Sequence, residues 1–212
     1  MLMRQLALFP LNLVVFPGEK LNLHIFEPRY RQLVRDCLLE GITFGIPPYI
    51  NGGVSRRGTE VRLVDVEKNY PSGELDIRTK AVGVFEIDEF QRELPGKLYA
   101  GATVRDLPDD AEADPALHGR TAELIEQLYG ILGLRRLFLD LPSSFRIYDV
   151  AHQLGMSTEQ EYELLEADTE AERQVLALRH LERILPVLQE TERLKERVRL
   201  NGHFKNLTPP SF

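Results

Sequence analysis

The sequence predicts an α+β protein: a barrel-like closed sheet followed by a helical bundle with a long last helix. Three observations carry this. Apolar residues in the first half recur with a period of two in several short runs, as half-buried strands require. In the second half they recur at steps of three and four, the period of helices that bury one face. Between the two patterns lies LPDDAEADP (107–115), acidic and punctuated by proline. The chain therefore reads as a barrel-like domain (1–106), a linker (107–115), a helical domain (116–203) and a tail (204–212).

Each element follows from its residues. RQLAL (4–8) and LNLHIF (21–26) alternate as strands, and Pro17-Gly18 between them reads as a turn, because glycine tolerates positive φ. Residues 28–40 read as a helix. Pro28 suits a first helical position, Tyr30, Leu33, Val34, Cys37 and Leu38 share a face, and Gly41 stops it. Strands are expected at 42–46, 59–67, 75–80, 82–89 and 98–105, with YPSG (70–73) turning a hairpin. Short strands at this spacing suggest closure, which removes exposed edges.

The helical half starts with a stripe of Leu117, Leu124, Leu128 and Ile131. A second helix is expected at 144–154 behind Ser143 or Ser144, and a third behind Ser157, with Glu159 and Gln160 in its first turn. Asp168 or Thr169 opens the last and longest, which carries Val175, Leu178, Leu181, Leu185 and Leu188. Pro186 inside it predicts a bend, and Asn201-Gly202 a stop.

Composition limits function. Residues 1–106 hold 14 of the 26 Lys and Arg and 14 of the 33 Asp and Glu, so the net charge of -7 belongs wholly to the second half. A nucleic-acid binder needs a basic face to displace counterions, so this balance argues against nucleic acid. One cysteine, Cys37, makes neither a disulfide nor a multi-cysteine metal site, and fits a reducing, cytoplasmic setting. Residues 5–16 are apolar, but Pro10 and Asn12 interrupt them and no small-residue cleavage site follows, so export is not expected. No apolar run approaches the ~18 residues of a membrane span.

No motif in the sequence points to a reaction. NGG (51–53) lacks the GK[ST] of a phosphate loop and reads as a turn. The five histidines are scattered: His24 reads as a hydrogen-bonded structural residue, His152 and His180 as partly exposed helix residues. Cys37 sits on an apolar stripe, where a thiol behaves as a small hydrophobe. Paired carboxylates such as Asp109 and Asp110 lie in charge runs with nothing to desolvate them. The expectation is no catalytic residue, no metal and no cofactor.

FPLNLVVFPGEKLNLHIFEPRYR (9–31) is the most informative stretch. Most of Phe9 to Phe16 reads as core, a strand and a crossing loop; its prolines also limit backbone pairing and leave one or two apolar side chains facing outward for a partner. In FEPRYR, Glu27 faces a helix start, and Arg29 or Arg31 either pairs within the fold or contacts a ligand. The candidate partner surface is Phe9, Leu11, Val14, Phe16, Phe26, Arg29, Tyr30 and Arg31.

That run, FGI (44–46), GTEVRLVDVEKNYPSGELDI (58–77), KAVGVFEI (80–87) and the helical stretch 145–185 together resemble the Lon protease N-terminal, substrate-binding domain family. The resemblance covers about residues 5–188. It implies a PUA-like pseudobarrel followed by a helical bundle, and a role in holding polypeptide. No Walker motif accompanies it and the sequence given ends at Phe212, so neither ATPase nor peptidase activity carries over. The leading expectation is a non-catalytic module for protein or peptide clients, possible partners including a second copy through the Leu194–Val198 seam of the last helix. The alternatives are RNA binding, through Arg56, Arg57, Arg62 and Lys68, and an unrecognised small-molecule enzyme.

Overall fold

The computed structural model describes residues 3–139 and 141–204. Strands β1 (Met3–Leu8), β2 (Lys20–Ile25), β3 (Phe44–Ile46), β6 (Arg57–Asn69), β7 (Leu75–Gln91) and β8 (Ala100–Asp106) form one sheet in the order β2-β7-β6-β3-β1-β8. A further β7–β8 pairing closes five of these strands on themselves, and β2 lies outside the closure. Only β1 and β3 run parallel within it. Tyr49–Ile50 (β4) and Gly53–Val54 (β5) add a small hairpin around Asn51-Gly52, both at positive φ.

Helix α1 spans Pro28–Glu40, with Pro28 in its first turn and Gly41 at φ 68, as the residues required. Its buried face is Tyr30, Leu33, Val34, Asp36 and Cys37; Leu38 belongs to the other side and is 60% exposed. The strands expected at 75–80 and 82–89 are one. Between Glu60 and Val61 the β6–β7 register shifts, leaving Val82 as the extra residue on β7. A bulge of this kind bends a strand without ending it. β7 therefore leaves β2 at Lys80 and meets β8 from Phe85 onward.

The opening run divides among three cores because alternate side chains point opposite ways. Leu6 and Leu8 face the barrel interior with Phe85, Ile87, Ala102 and Val104. Ala7, Phe9 and Val15 face α1. Val14 and Phe16, with Val84, enter the core of the helices. Two glycines make room for the Phe85 ring. A Cβ on Gly58 would lie 2.6 Å from that ring and 2.8 Å from the Pro47 backbone, and one on Gly45 would lie 2.5 Å from the ring.

After an extended segment, Asp114 caps α2 (Pro115–Ile131), its carboxylate accepting from the Ala116 and Leu117 amides. A short α3 (Arg135–Leu139) follows, which periodicity did not reveal. The helix expected at 144–154 is shorter: α4 (Ile147–Val150) and one 3-10 turn (Ala151–Gln153). It begins late because Arg146 is extended and its amide donates to Asp149, so capping falls there and not on the serines. Ser157 and Gln160 form the expected capping box of α5 (Thr158–Glu166). Thr169 and Glu172 do the same for α6 (Glu170–Phe204).

α6 passes through Pro186 and continues beyond Asn201-Gly202, the expected stop. A helical glycine costs only about 1 kcal/mol and does not itself end a helix. The buried side of α6 is Gln174, Ala177, Leu181 and Leu185, whereas Val175 is 41% exposed. Except for Phe204, the tail lies outside the described residues.

Candidate functional site

Three concave surfaces merit a test as sites. The first is a cleft of about 330 Å³ between sheet and helices, lined by Arg57, Arg105 and Arg173 with Asp109, Asp168 and Tyr148. Each arginine is engaged. Arg57 donates to the Glu166 carbonyl at 2.5 Å and to Asp168 at 2.8 Å. Arg105 donates to Glu86 at 2.8 Å. Arg173, almost wholly buried, donates to the Asp110 carbonyl and to Glu170, with its guanidinium 4.2 Å from the Tyr148 ring centre. Glu170 is fully buried and also accepts from the Ile147 amide at 2.7 Å. Burial pushes its carboxyl up, against the pull of that amide and Arg173. The cleft is thus a clamp joining the sheet to the helices.

His152 adds to the clamp. It reaches Glu161 of α5 at 2.8 Å and Glu19 of the β1–β2 connection at 3.2 Å. Hydrogen bonds to Glu161 and then Glu19 outweigh desolvation and raise it to about 10. A folded value above the unfolded one near 6.5 stabilises the protein fully below 6.5, and the contribution fades as pH rises toward 10. Stability measured by urea titration should therefore fall across that window, and His152→Ala should flatten the fall. An unchanged profile in the variant would assign the slope to other groups.

The second surface is a groove of about 580 Å³ between the end of α1 and β6, lined by Leu38, Ile42, Leu63, Val64, Val66 and Leu75, with Cys37 also on its wall and Arg62, Asp65 and Asn69 as its polar members. Leu38 and Val64 are 60% and 55% exposed. β3 covers β6 only across Thr59–Val61. From Arg62 to Asn69, β6 pairs with β7 alone among the described strands. Burial raises the Cys37 thiol to about 12, so it contributes as an apolar group. The third surface is a groove of about 660 Å³ over α2, α5 and α6.

The family model for the ATP-dependent protease La (LON) substrate-binding domain matches residues 5–183. The chain belongs to this family. Two solved structures share its fold. A Lon N-terminal domain protein from Xanthomonas campestris is 29% identical, with a TM-score of 0.62, covering 86% of this chain and 98% of its own. The N-terminal domain of a Mycobacterium avium complex Lon protease shares the fold at 15% identity, with a TM-score of 0.64, covering 84% of this chain and 98% of its own. A search of curated proteins finds no match. The Lon fold explains the β-rich half followed by helices. No described helix is long and apolar enough to cross a membrane.

The structure redistributes the residues expected on a partner surface of this Lon domain. Phe9, Val14, Phe16 and Tyr30 are buried, at 7% exposure or less. Phe9 stacks on Tyr30 at 3.7 Å, and Phe16 on Tyr148 at 4.9 Å. They are core because Pro10 and Pro17 redirect the chain between layers and do not hold it at the surface. Leu11 and Arg31 are half-buried. Arg31 donates to the Ser72 carbonyl in the β6–β7 turn, and Arg29 to Glu27 at 2.8 Å. Phe26, 58% exposed, and Arg29 remain outward.

Histidine readings divide similarly. His24 is hydrogen-bonded to Asp76 at 2.7 Å. His180, expected to be partly exposed, is buried against the Leu154 carbonyl at 3.0 Å. The α1–β6 groove escaped sequence reading because its walls come from segments some 25 residues apart. Its signals were Cys37, on the buried face as read, and Leu38, placed on the wrong face.

Proposed function

We propose that this chain is a non-catalytic polypeptide-binding module, an adaptor that takes up unfolded or protease-directed proteins through apolar segments. The supporting observation is the α1–β6 groove. Its mainly apolar walls stand open, and the flank of β6 that no described strand pairs with offers backbone donors and acceptors beside them. An extended segment can meet both needs, pairing its backbone and inserting alternate side chains. Phe26 and Arg29 are proposed as outlying contacts. The family's printed role, substrate binding, agrees with this reading.

Nucleic acid is the weaker alternative. Arg56 pairs with Glu86 at 2.9 Å, Arg57 with Asp168 at 2.8 Å, and the Lys68 ammonium lies 4.3 Å from the Tyr70 ring centre. Three of the four basic residues seen in the sequence are therefore engaged within the fold, while Arg62 is exposed beside the α1–β6 groove. A cytoplasmic setting, the division at 107–115 and pairing of the chain with itself through α6 belong to the same proposal.

The test is fluorescence anisotropy with a labelled, permanently unfolded protein at low salt and at about 0.5 M salt. Binding is expected to persist at both. Leu38→Asp combined with Val64→Asp, both at exposed positions, should weaken it at least tenfold, about 1.4 kcal/mol, with an unchanged melting curve. Unaltered affinity in that variant, or binding abolished by salt, would refute the groove as the client site.

A further inference from the structure

The outer face of β2, β7 and β6 carries its charges in rows, because residues opposite one another on neighbouring strands share a face. Two rows are paired within themselves. Asn22, Arg78 and Asp65 stand side by side, and Arg78 reaches Asp65 at 3.0 Å and Glu67 at 3.1 Å. His24, Asp76 and Lys68 form the next row, where His24 meets Asp76 at 2.7 Å and the Lys68 ammonium lies over Tyr70. The third row differs. Lys20 lies opposite Lys80, and Lys80 lies opposite Arg62. All three are exposed. The acids nearest them in the chain, Glu19, Glu60 and Asp76, are held by His152, Arg4 and His24. Among the described residues no acid pairs with any of the three cations. Like charges placed directly opposite one another destabilise a sheet, so folding does not account for this row. It also ends at the client groove, since Arg62 stands on that groove's wall.

We propose that Lys20, Lys80 and Arg62 receive an acidic stretch of the client whose apolar segment fills the groove, so that preferred clients carry two or three Asp or Glu beside their apolar residues. The inference rests on the client reading above and names the chemistry of those clients. Three strands about 4.8 Å apart make the row about 10 Å long, the span of roughly three residues of extended chain. A polypeptide suits it better than a nucleic acid. Asp65 and Asp76 lie in the adjoining rows, where they would repel a strand charged at every phosphate. The attraction is local, because the net charge of -7 would by itself repel an acidic client.

The test compares two probes by anisotropy: the labelled unfolded protein used above, and a version of it with every Asp and Glu changed to Asn and Gln. The full chain is expected to bind the acidic version about fivefold more tightly at low salt. At about 0.5 M salt the difference should vanish while both still bind. Lys80→Glu should bind the two versions alike. Its melting temperature should be no lower than the parent's, since the change turns two like-charge neighbours into opposite ones. Failure of the parent to bind either version would overturn the groove reading and this inference with it. Equal binding of the two versions by the parent would overturn the acidic preference alone. A preference that survives Lys80→Glu would place acid recognition elsewhere and overturn the row as its site. A poly-dT strand bound more tightly than the acidic version would assign the row to phosphates and overturn the choice of polypeptide.

Discussion

Replacing Arg173 with methionine should lower unfolding stability by about 3–5 kcal/mol, because it strands a buried carboxylate. Glu170 is fully buried, and Arg173 is the cation within hydrogen-bond reach of it at 3.2 Å. The same guanidinium holds the carbonyls of Asp110 and Ala167, which fix the chain's entry into the helices. In a chain of this size the loss should lower the melting temperature by roughly 10 °C. Adding Glu170→Gln should recover part of it, since a neutral amide costs less to bury than an unpaired charge. A melting temperature within 2 °C of the parent would show that the pair contributes little net stability.

Phe16→Ala should cost a similar amount, about 3–5 kcal/mol, through lost burial and the cavity left behind. Phe16 is 1% exposed and lies against Tyr148 and His152, at ring distances of 4.9 and 5.0 Å. It is the barrel half's main aromatic in the helical core. The substitution also separates two explanations of the opening apolar run. As core, Phe16→Ala destabilises while the folded fraction still binds clients. As contact surface, it would lower affinity and leave the urea midpoint in place. Measuring both on one sample decides between them.

Elements whose boundaries are written in local chemistry were legible in the sequence. Pro28 and Gly41 bracket α1, Ser157 and Gln160 start α5, and Gly73 at φ 85 turns the β6–β7 hairpin. Less legible was anything set by contacts across layers. Ala81 looked like a break between strands because nothing local signals a bulge that lets β7 change partners. Phe9, Val14 and Phe16 read mostly as core, but composition does not say which of three cores each side chain enters or which one stays outward. Of the proposed client groove, only Cys37 and Leu38 stood out in the sequence, both on the stripe read as buried. A helical period of 3.6 cannot say how far round the helix the protein reaches. The clamp was invisible for the same reason: Arg57, Glu86, His152 and Arg173 are far apart in the chain.

The pairing of β1 with β8 has a consequence for synthesis. Arg4 meets Asp106 across 102 positions of chain. The ring's first strand must therefore wait for its last before the ring can shut, and until then Leu6 and Leu8 have no interior to enter. Long-range closure of this kind slows folding. A nascent chain halted shortly after Asp106 emerges should be the earliest that resists protease, and shorter ones should be digested.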